Sequence, residues 1–139
     1  MKKLSSLVAA VSLALIGQAN ADQVTASDKA IKLAKDTILI DTHIDVPYRI
    51  HNKWADVTKA TSDGDFDYPR AVQGGLNAPF MSIYIPANLE FEGKGKSYQL
   101  ANQLIDSMEA IVQRAPDKFA IADSTADIIE QFKQVKMSI

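Results

Sequence analysis

The sequence contains no cysteine, and it contains no cluster of lysine or arginine. The first absence excludes a disulfide framework and an anchor on a lipidated cysteine. The second leads us to expect no nucleic-acid partner, because phosphate binding depends on clustered cations. Tryptophan occurs once, and histidine only twice, at His43 and His51. The surroundings of each histidine are therefore the first place to search for a functional site.

The first 21 residues have the pattern of an export signal. Lys2 and Lys3 give a positive start, an apolar stretch covers 4–16, and Ala19 to Ala21 supply the small-x-small pattern that a signal peptidase recognises. An N-terminal membrane anchor is the alternative, but the apolar stretch is shorter than the ~20 residues needed to cross a bilayer. We expect cleavage before Asp22, a periplasmic or else secreted protein, and no stable membrane anchor afterwards.

Residues 22–139 alternate between apolar runs of strand type and helical patterns. The predicted helices begin after Ser27, cover 68–75 and 97–114, and begin again after Ser124 or Thr125, while predicted strands cover 37–42, 76–86 and 118–124. This order is typical of parallel strands joined by crossover helices. The first two strands are expected to be buried on both faces. A sheet of about three strands would leave open edges, so we expect one incomplete α/β domain.

The stretch Asp-Thr-His-Ile-Asp-Val-Pro at 41–47 carries the candidate chemistry. Side chains two apart on a strand share a face, which predicts that His43 and Asp45 lie side by side where the first strand ends. Functional sites of α/β proteins lie at the carboxyl ends of parallel strands, and zinc accepts imidazole and carboxylate ligands. Asp41, on the same face two residues earlier, is expected to support this pair or to lie in a polar barrel layer. Two ligands do not complete a catalytic zinc site, which usually has about three from protein.

The residues by themselves leave a structural alternative open for each candidate. His43 could simply be hydrogen-bonded, and Asp45 could cap a loop. His51 falls in the polar segment 51–67, which is predicted to be a long loop, and it is expected to be exposed to solvent. The spacing of a histidine and an aspartate alone does not decide between these alternatives and a metal site.

Residues 41–50, with the sequence DTHIDVPYRI, resemble the first metal motif of the membrane dipeptidases of peptidase family M19. In that family an Asp-x-His-x-Asp-x-Pro run follows the first strand. The resemblance continues over 65–86, where a short helix ends in Gly-Gly and a strand ends in Tyr-x-Pro, and over 113–139. It therefore covers essentially the whole of 22–139 in the correct order.

The resemblance implies a (β/α)8 barrel, a TIM barrel of the metal-dependent hydrolase type, in which two zinc ions serve the hydrolysis of dipeptides. His43 and Asp45 match ligands of the first zinc. Tyr48 matches an aromatic position at the pocket wall, and Tyr84 would face the pocket mouth, with ordinary packing as the alternative for both tyrosines. The family's bridging glutamate, later histidine ligands and acid/base aspartate would follow Ile139.

The resemblance thus implies that 22–139 forms about three βα units and the first metal half-site, is inactive alone, and belongs to a protein in which dimers occur. Two other functions are compatible with the residues. One is a non-catalytic periplasmic binding or interaction domain that uses the surface around Tyr48 and Tyr84. The other is a different hydrolase of the same barrel superfamily.

Overall fold

The computed structural model describes residues 25–139, so the predicted signal peptide at 1–21 lies outside the described residues. The elements are α1 (Asp28–Asp36), β1 (Leu39–Ile44), α2 (Val46–Asn52), α3 (Tyr68–Gly74), β2 (Leu76–Met81), α4 (Leu89–Glu92), α5 (Lys96–Arg114), β3 (Phe119–Ala120), α6 (Thr125–Lys133) and β4 (Met137–Ser138). This is a mixed α/β arrangement. None of the described helices is long and apolar enough to cross a membrane.

The ends of the predicted helices lie where the sequence places its capping residues. The Ser27 hydroxyl accepts a hydrogen bond from the Ala30 N–H at the start of α1, and Ser124 caps α6 in the same way. Helix α3 ends at Gly75, whose φ of 86° is left-handed. A side chain at Gly75 would also place its Cβ 2.8 Å from the Ala34 carbonyl oxygen, so glycine is required there.

The strands are parallel, as predicted, but they do not form one sheet of about three strands. β1 pairs with β2, from Leu39 opposite Leu76 to Ile44 opposite Met81, and β3 pairs separately with β4. β3 and β4 contain two residues each. β2 and β4 are neighbours, but no hydrogen-bonded ladder joins the two pairs. An apolar cleft of about 320 Å³ is lined by residues of β2, α5 and the end of the chain after β3. Within 25–139 the strands therefore do not close into a barrel.

Strand β1 corrects the prediction of a buried strand at 37–42. It begins two residues later than predicted, and five of its six residues are exposed. An apolar run predicts burial only where another layer covers it. Among the described elements, the principal neighbour of β1 is β2, and α1 buries none of its own residues.

The hydrophobic core lies between α2, α3, α5 and the segment that joins α2 to α3. Its buried members are Val46, Ile50, Val57, Phe66, Ala71, Met108, Ile111, Ala115, Phe119 and Met137. The Tyr68 ring meets the Phe119 ring edge to face at 5.2 Å between centroids. Helix α5 confirms its predicted amphipathic pattern, although Ile105, which was predicted to lie on the apolar face, is 43% exposed. The residues that α5 buries are Leu100, Leu104, Met108 and Ile111.

Asp67 is a charged residue in the interior, with a side chain only 1% exposed. Its carboxylate accepts hydrogen bonds from the Thr61 N–H and hydroxyl, and from the Arg70 N–H and guanidinium. Burial alone would raise the pKa of Asp67, but these hydrogen bonds outweigh it and lower the pKa from 3.8 to about 2. The carboxylate is therefore stabilised in the folded protein in its charged form.

Asp67→Asn is expected to lower the free energy of unfolding at pH 7 by about 2 kcal/mol, the equivalent of the depressed pKa. Because the folded pKa lies below 3.8, this contribution is present above about pH 4 and is lost as the pH falls towards 2. Urea unfolding at pH 7 and at pH 2.5 measures both effects.

The exposed Asp65 of the same segment supplies the matched control. Asp65→Asn should change the free energy of unfolding by less than about 0.5 kcal/mol at either pH. If Asp67→Asn destabilised the protein equally at pH 7 and pH 2.5, the charge of Asp67 would not be the cause.

Candidate functional site

The carboxyl ends of β1 and β2 place four of the predicted site residues on neighbouring segments: His43, Asp45, Tyr48 and Tyr84. His43 lies within β1, with its side chain 64% exposed. The His43 N–H donates to the Asp41 carboxylate at 2.9 Å, so Asp41 is engaged with the strand backbone beside the histidine. After β2, the Ser82 N–H donates to the Ile44 carbonyl at 2.9 Å and holds the two strand exits together.

His43 and Asp45 are in contact, although not for the reason that strand alternation suggests. The chain leaves the strand at Asp45, which has φ −87° and ψ 30° and occupies the N-cap position of α2. The His43 Nε2 lies 3.1 Å from the Asp45 Oδ1. The Asp45 side chain makes no capping hydrogen bond to the start of α2. Its carboxylate points at the imidazole instead.

Helix α2 itself was missed, because residues 51–67 were predicted to be a loop and 46–50 were assigned to no element. His51, which lies in the last turn of this helix, is exposed as expected. The signal was present in the sequence, since Pro47 follows Asp45 at the position where proline favours the first turn of a helix.

The donor atoms of His43 and Asp45 fit a divalent metal as two neighbouring ligands. Two ligands at about 2.1 Å from a tetrahedral zinc are about 3.4 Å apart, close to the 3.1 Å between Nε2 and Oδ1. Both side chains are more than half exposed, so an ion could reach them. Within 25–139, no group of three or more His, Asp or Glu side chains is arranged to hold a metal ion. The described residues thus bring together two possible ligands, at a distance that an ordinary hydrogen bond also has.

The two predicted pocket tyrosines are also in contact with each other. Tyr48 projects from α2, and Tyr84 lies three residues past the end of β2 rather than inside the strand. Their ring centroids are 5.1 Å apart at an angle of 78°, an edge-to-face pair. Tyr84 is 46% exposed and Tyr48 is partly buried, so the pair presents an aromatic surface beside the strand exits.

A polar cleft of about 410 Å³ adjoins Tyr48 and was not predicted from the sequence. It runs between α2 and the α4–α5 segment, and its polar walls include His51, Glu92 and Lys96. The Lys96 ammonium lies 3.4 Å from the Glu92 carboxylate, and both side chains are about half exposed. These residues lie 41 or more positions apart from His51 in the sequence, so no local pattern could have indicated the cleft.

Comparison with known proteins identifies relatives of one kind. The family described as membrane dipeptidase (peptidase family M19) matches residues 27–139. Dipeptidase verJ of Clonostachys rogersoniana is 26% identical over 122 residues, which cover 79% of this chain and 31% of that protein. Dipeptidase ataJ of Aspergillus terreus (strain NIH 2624 / FGSC A1156) is 30% identical over 105 residues, which cover 68% of this chain and 26% of that protein.

The chain thus spans less than a third of the length of these two relatives. The family match, however, covers most of the chain and includes all six described helices and all four described strands. It also includes the strand exits that carry His43, Asp45, Tyr48 and Tyr84. The chain therefore belongs to the membrane dipeptidase family, peptidase family M19.

Proposed function

We propose that this chain contributes the first metal half-site and part of the substrate pocket to a zinc-dependent dipeptide hydrolase. The observation that carries the proposal is the 3.1 Å contact of His43 Nε2 with Asp45 Oδ1 at the exit of a parallel strand. Family membership and two relatives named dipeptidases support hydrolysis of dipeptides as the reaction class. A bound zinc would polarise the peptide carbonyl and lower the pKa of a water molecule.

Each of the neighbouring residues has a separate part in this proposal. His43 and Asp45 would hold the ion. Asp41, through its hydrogen bond to the His43 N–H, would keep the backbone of the histidine in place. Tyr48 and Tyr84 would form an apolar wall against which a side chain of the dipeptide packs, since aromatic rings offer large contact areas. The remaining ligands and the acid/base group would come from outside the described residues.

The architecture and location of the whole protein are part of the same proposal. The parallel β1–β2 and β3–β4 pairs with their connecting helices are compatible with successive βα units of a (β/α)8 barrel. The basic start and apolar stretch of the first 21 residues support export to the periplasm by a cleaved signal. Residues 22–139 alone would be catalytically inactive, and the whole protein could assemble as a homodimer.

Zinc binding to the 139-residue chain tests the half-site directly by isothermal titration calorimetry. His43→Ala and Asp45→Ala are each expected to weaken zinc binding by at least about tenfold, since loss even of an outer-shell partner typically costs 10–100-fold. His51→Ala is the matched control, because it removes the other histidine of the chain and should leave zinc affinity unchanged. Weakening by His51→Ala equal to that by His43→Ala would contradict the assignment.

Dipeptide hydrolysis tests the reaction, measured in a protein that continues residues 22–139 to the length of the relatives. Asp45→Ala is expected to abolish turnover of a panel of dipeptides. A hydrolase with another substrate class would instead show no activity on any dipeptide before mutation.

The tyrosine pair is expected to affect substrate binding more than turnover. Tyr84→Leu should raise KM by about fivefold with kcat nearly unchanged, because a pocket wall contacts substrate and transition state alike. In the double variant that carries both Tyr48→Leu and Tyr84→Leu, KM should rise by less than the product of the increases in the two single variants. The effects are not independent, because the two rings are in contact. Tyr98→Leu, at a 75% exposed position on α5, serves as the control and should leave KM unchanged.

A further inference from the structure

Arg49 of α2 holds the backbone of the segment that precedes α3. Its Nη1 donates to the Phe66 carbonyl at 2.9 Å, and its Nη2 donates to the Asp63 carbonyl at 2.7 Å. The Gly64 backbone lies against the guanidinium so closely that a Cβ there would be 2.1 Å from the Arg49 Cζ. One side chain of α2 thus spans two carbonyls of a segment that is far from it in sequence.

The segment that Arg49 holds is itself fixed to α3 and to the core. The Arg70 Nη1 donates to the Gly64 carbonyl at 2.7 Å, and the Thr61 N–H donates to the buried carboxylate of Asp67 at 2.9 Å. The Phe66 side chain is buried in the hydrophobic core. We define residues 61–67 as the anchor loop, because contacts on both sides prevent it from moving independently of α3.

Helix α2 needs an external support at its start. It has only seven residues, and helices of this length are not stable by local interactions alone. Its N-terminus has no side-chain cap, because the Asp45 carboxylate faces His43 instead. Val46, Pro47 and Ile50 pack one face of the helix into the interior, and directional hydrogen bonds from the helix add a second restraint on its orientation. The two hydrogen bonds of Arg49 supply that restraint.

We propose that Arg49 is a positioning residue that fixes the orientation of α2 against the anchor loop and thereby sets the geometry of the candidate site. It acts through the helix, which begins after Asp45 and carries Tyr48. Its consequence for metal binding rests on the proposed function above. Its effect on the contact between Tyr48 and Tyr84 does not, because that contact involves neither metal nor substrate.

The first test is a solution NMR measurement on the metal-free 139-residue chain. The wild type should show nuclear Overhauser effects between the Tyr48 and Tyr84 rings, whose centroids are 5.1 Å apart. Arg49→Lys should lose them, because a single ammonium cannot span two carbonyls as the planar guanidinium does. Circular dichroism should show that the helices remain. Persistence of the ring contacts in Arg49→Lys, or their absence from the wild type, would overturn the proposal.

Lys53→Ala is the matched control for a general weakening of the anchor loop. The Lys53 ammonium pairs with the Asp63 carboxylate, but the lysine side chain is 78% exposed. Such exposed ion pairs contribute little, so Lys53→Ala should keep the ring contacts. If Lys53→Ala lost them as completely as Arg49→Lys, the two Arg49 hydrogen bonds would have no special role.

Gly64→Ala displaces the guanidinium without changing Arg49 and keeps the test decisive should Arg49→Lys fail to fold. The new Cβ would meet the end of a flexible side chain, which can move aside, but the left-handed φ of 77° at Gly64 also strains an alanine there. Circular dichroism must therefore show that this variant keeps its helices. This variant should also lose the ring contacts. If a folded Gly64→Ala protein kept the contacts between the Tyr48 and Tyr84 rings, that result would contradict the proposal.

Zinc titration of the same variants separates this proposal from the proposed function. Arg49→Lys and Gly64→Ala should weaken zinc binding by about tenfold, the lower end of the range for outer-shell losses, and Lys53→Ala should not. If the wild type bound no zinc but the ring contacts still depended on Arg49, the metal half-site would fail while the positioning role remained. If zinc bound equally to all variants while the ring contacts were lost, Arg49 would not position Asp45.

Discussion

The buried carboxylate of Asp67 is the interaction on which the arrangement around the candidate site depends. An interior charge is tolerated only when it is fully hydrogen-bonded, and here Thr61 and Arg70 provide the donors. These bonds fold the anchor loop against α3, and the folded loop then presents its carbonyls to Arg49 of α2. A series of contacts therefore links the buried Asp67 to α2, the helix that begins after Asp45.

The strand exits show why a site can form here at all. Parallel pairing brings the carboxyl ends of β1 and β2 to one edge, where the chain turns into α2 on one side and towards Tyr84 on the other. The backbone hydrogen bond from Ser82 to Ile44 holds these exits together. The His43–Asp45 pair and the Tyr48–Tyr84 pair consequently lie on adjacent segments. This juxtaposition is what the proposed dipeptidase role requires of the N-terminal part of the family's pocket.

Several elements were predictable because their signals are local. Ser27, Ser124 and Gly75 mark helix ends through caps and a left-handed turn, and the period of apolar residues identifies α5. From the motif at 41–47, the contact between His43 and Asp45 was correctly predicted. Helix α2 was missed because its seven residues show no clear helical period. The exposure of β1 was also missed. An apolar sequence indicates that a strand would gain stability from burial, but it does not show whether another layer covers the strand.

By itself, the sequence determined the family, the alternation of helices and strands apart from the short helices α2 and α4, the parallel sense of the strands and the identity of the candidate ligands. These features follow from residue spacing, capping and motif, all of which are readable along the chain. Only the tertiary structure decided that Asp45 meets His43 from the first turn of a helix, that Tyr48 packs on Tyr84, and that Arg49 holds the anchor loop. Each of these depends on how separate segments turn and pack against one another, and such long-range geometry is not encoded in any local pattern of residues.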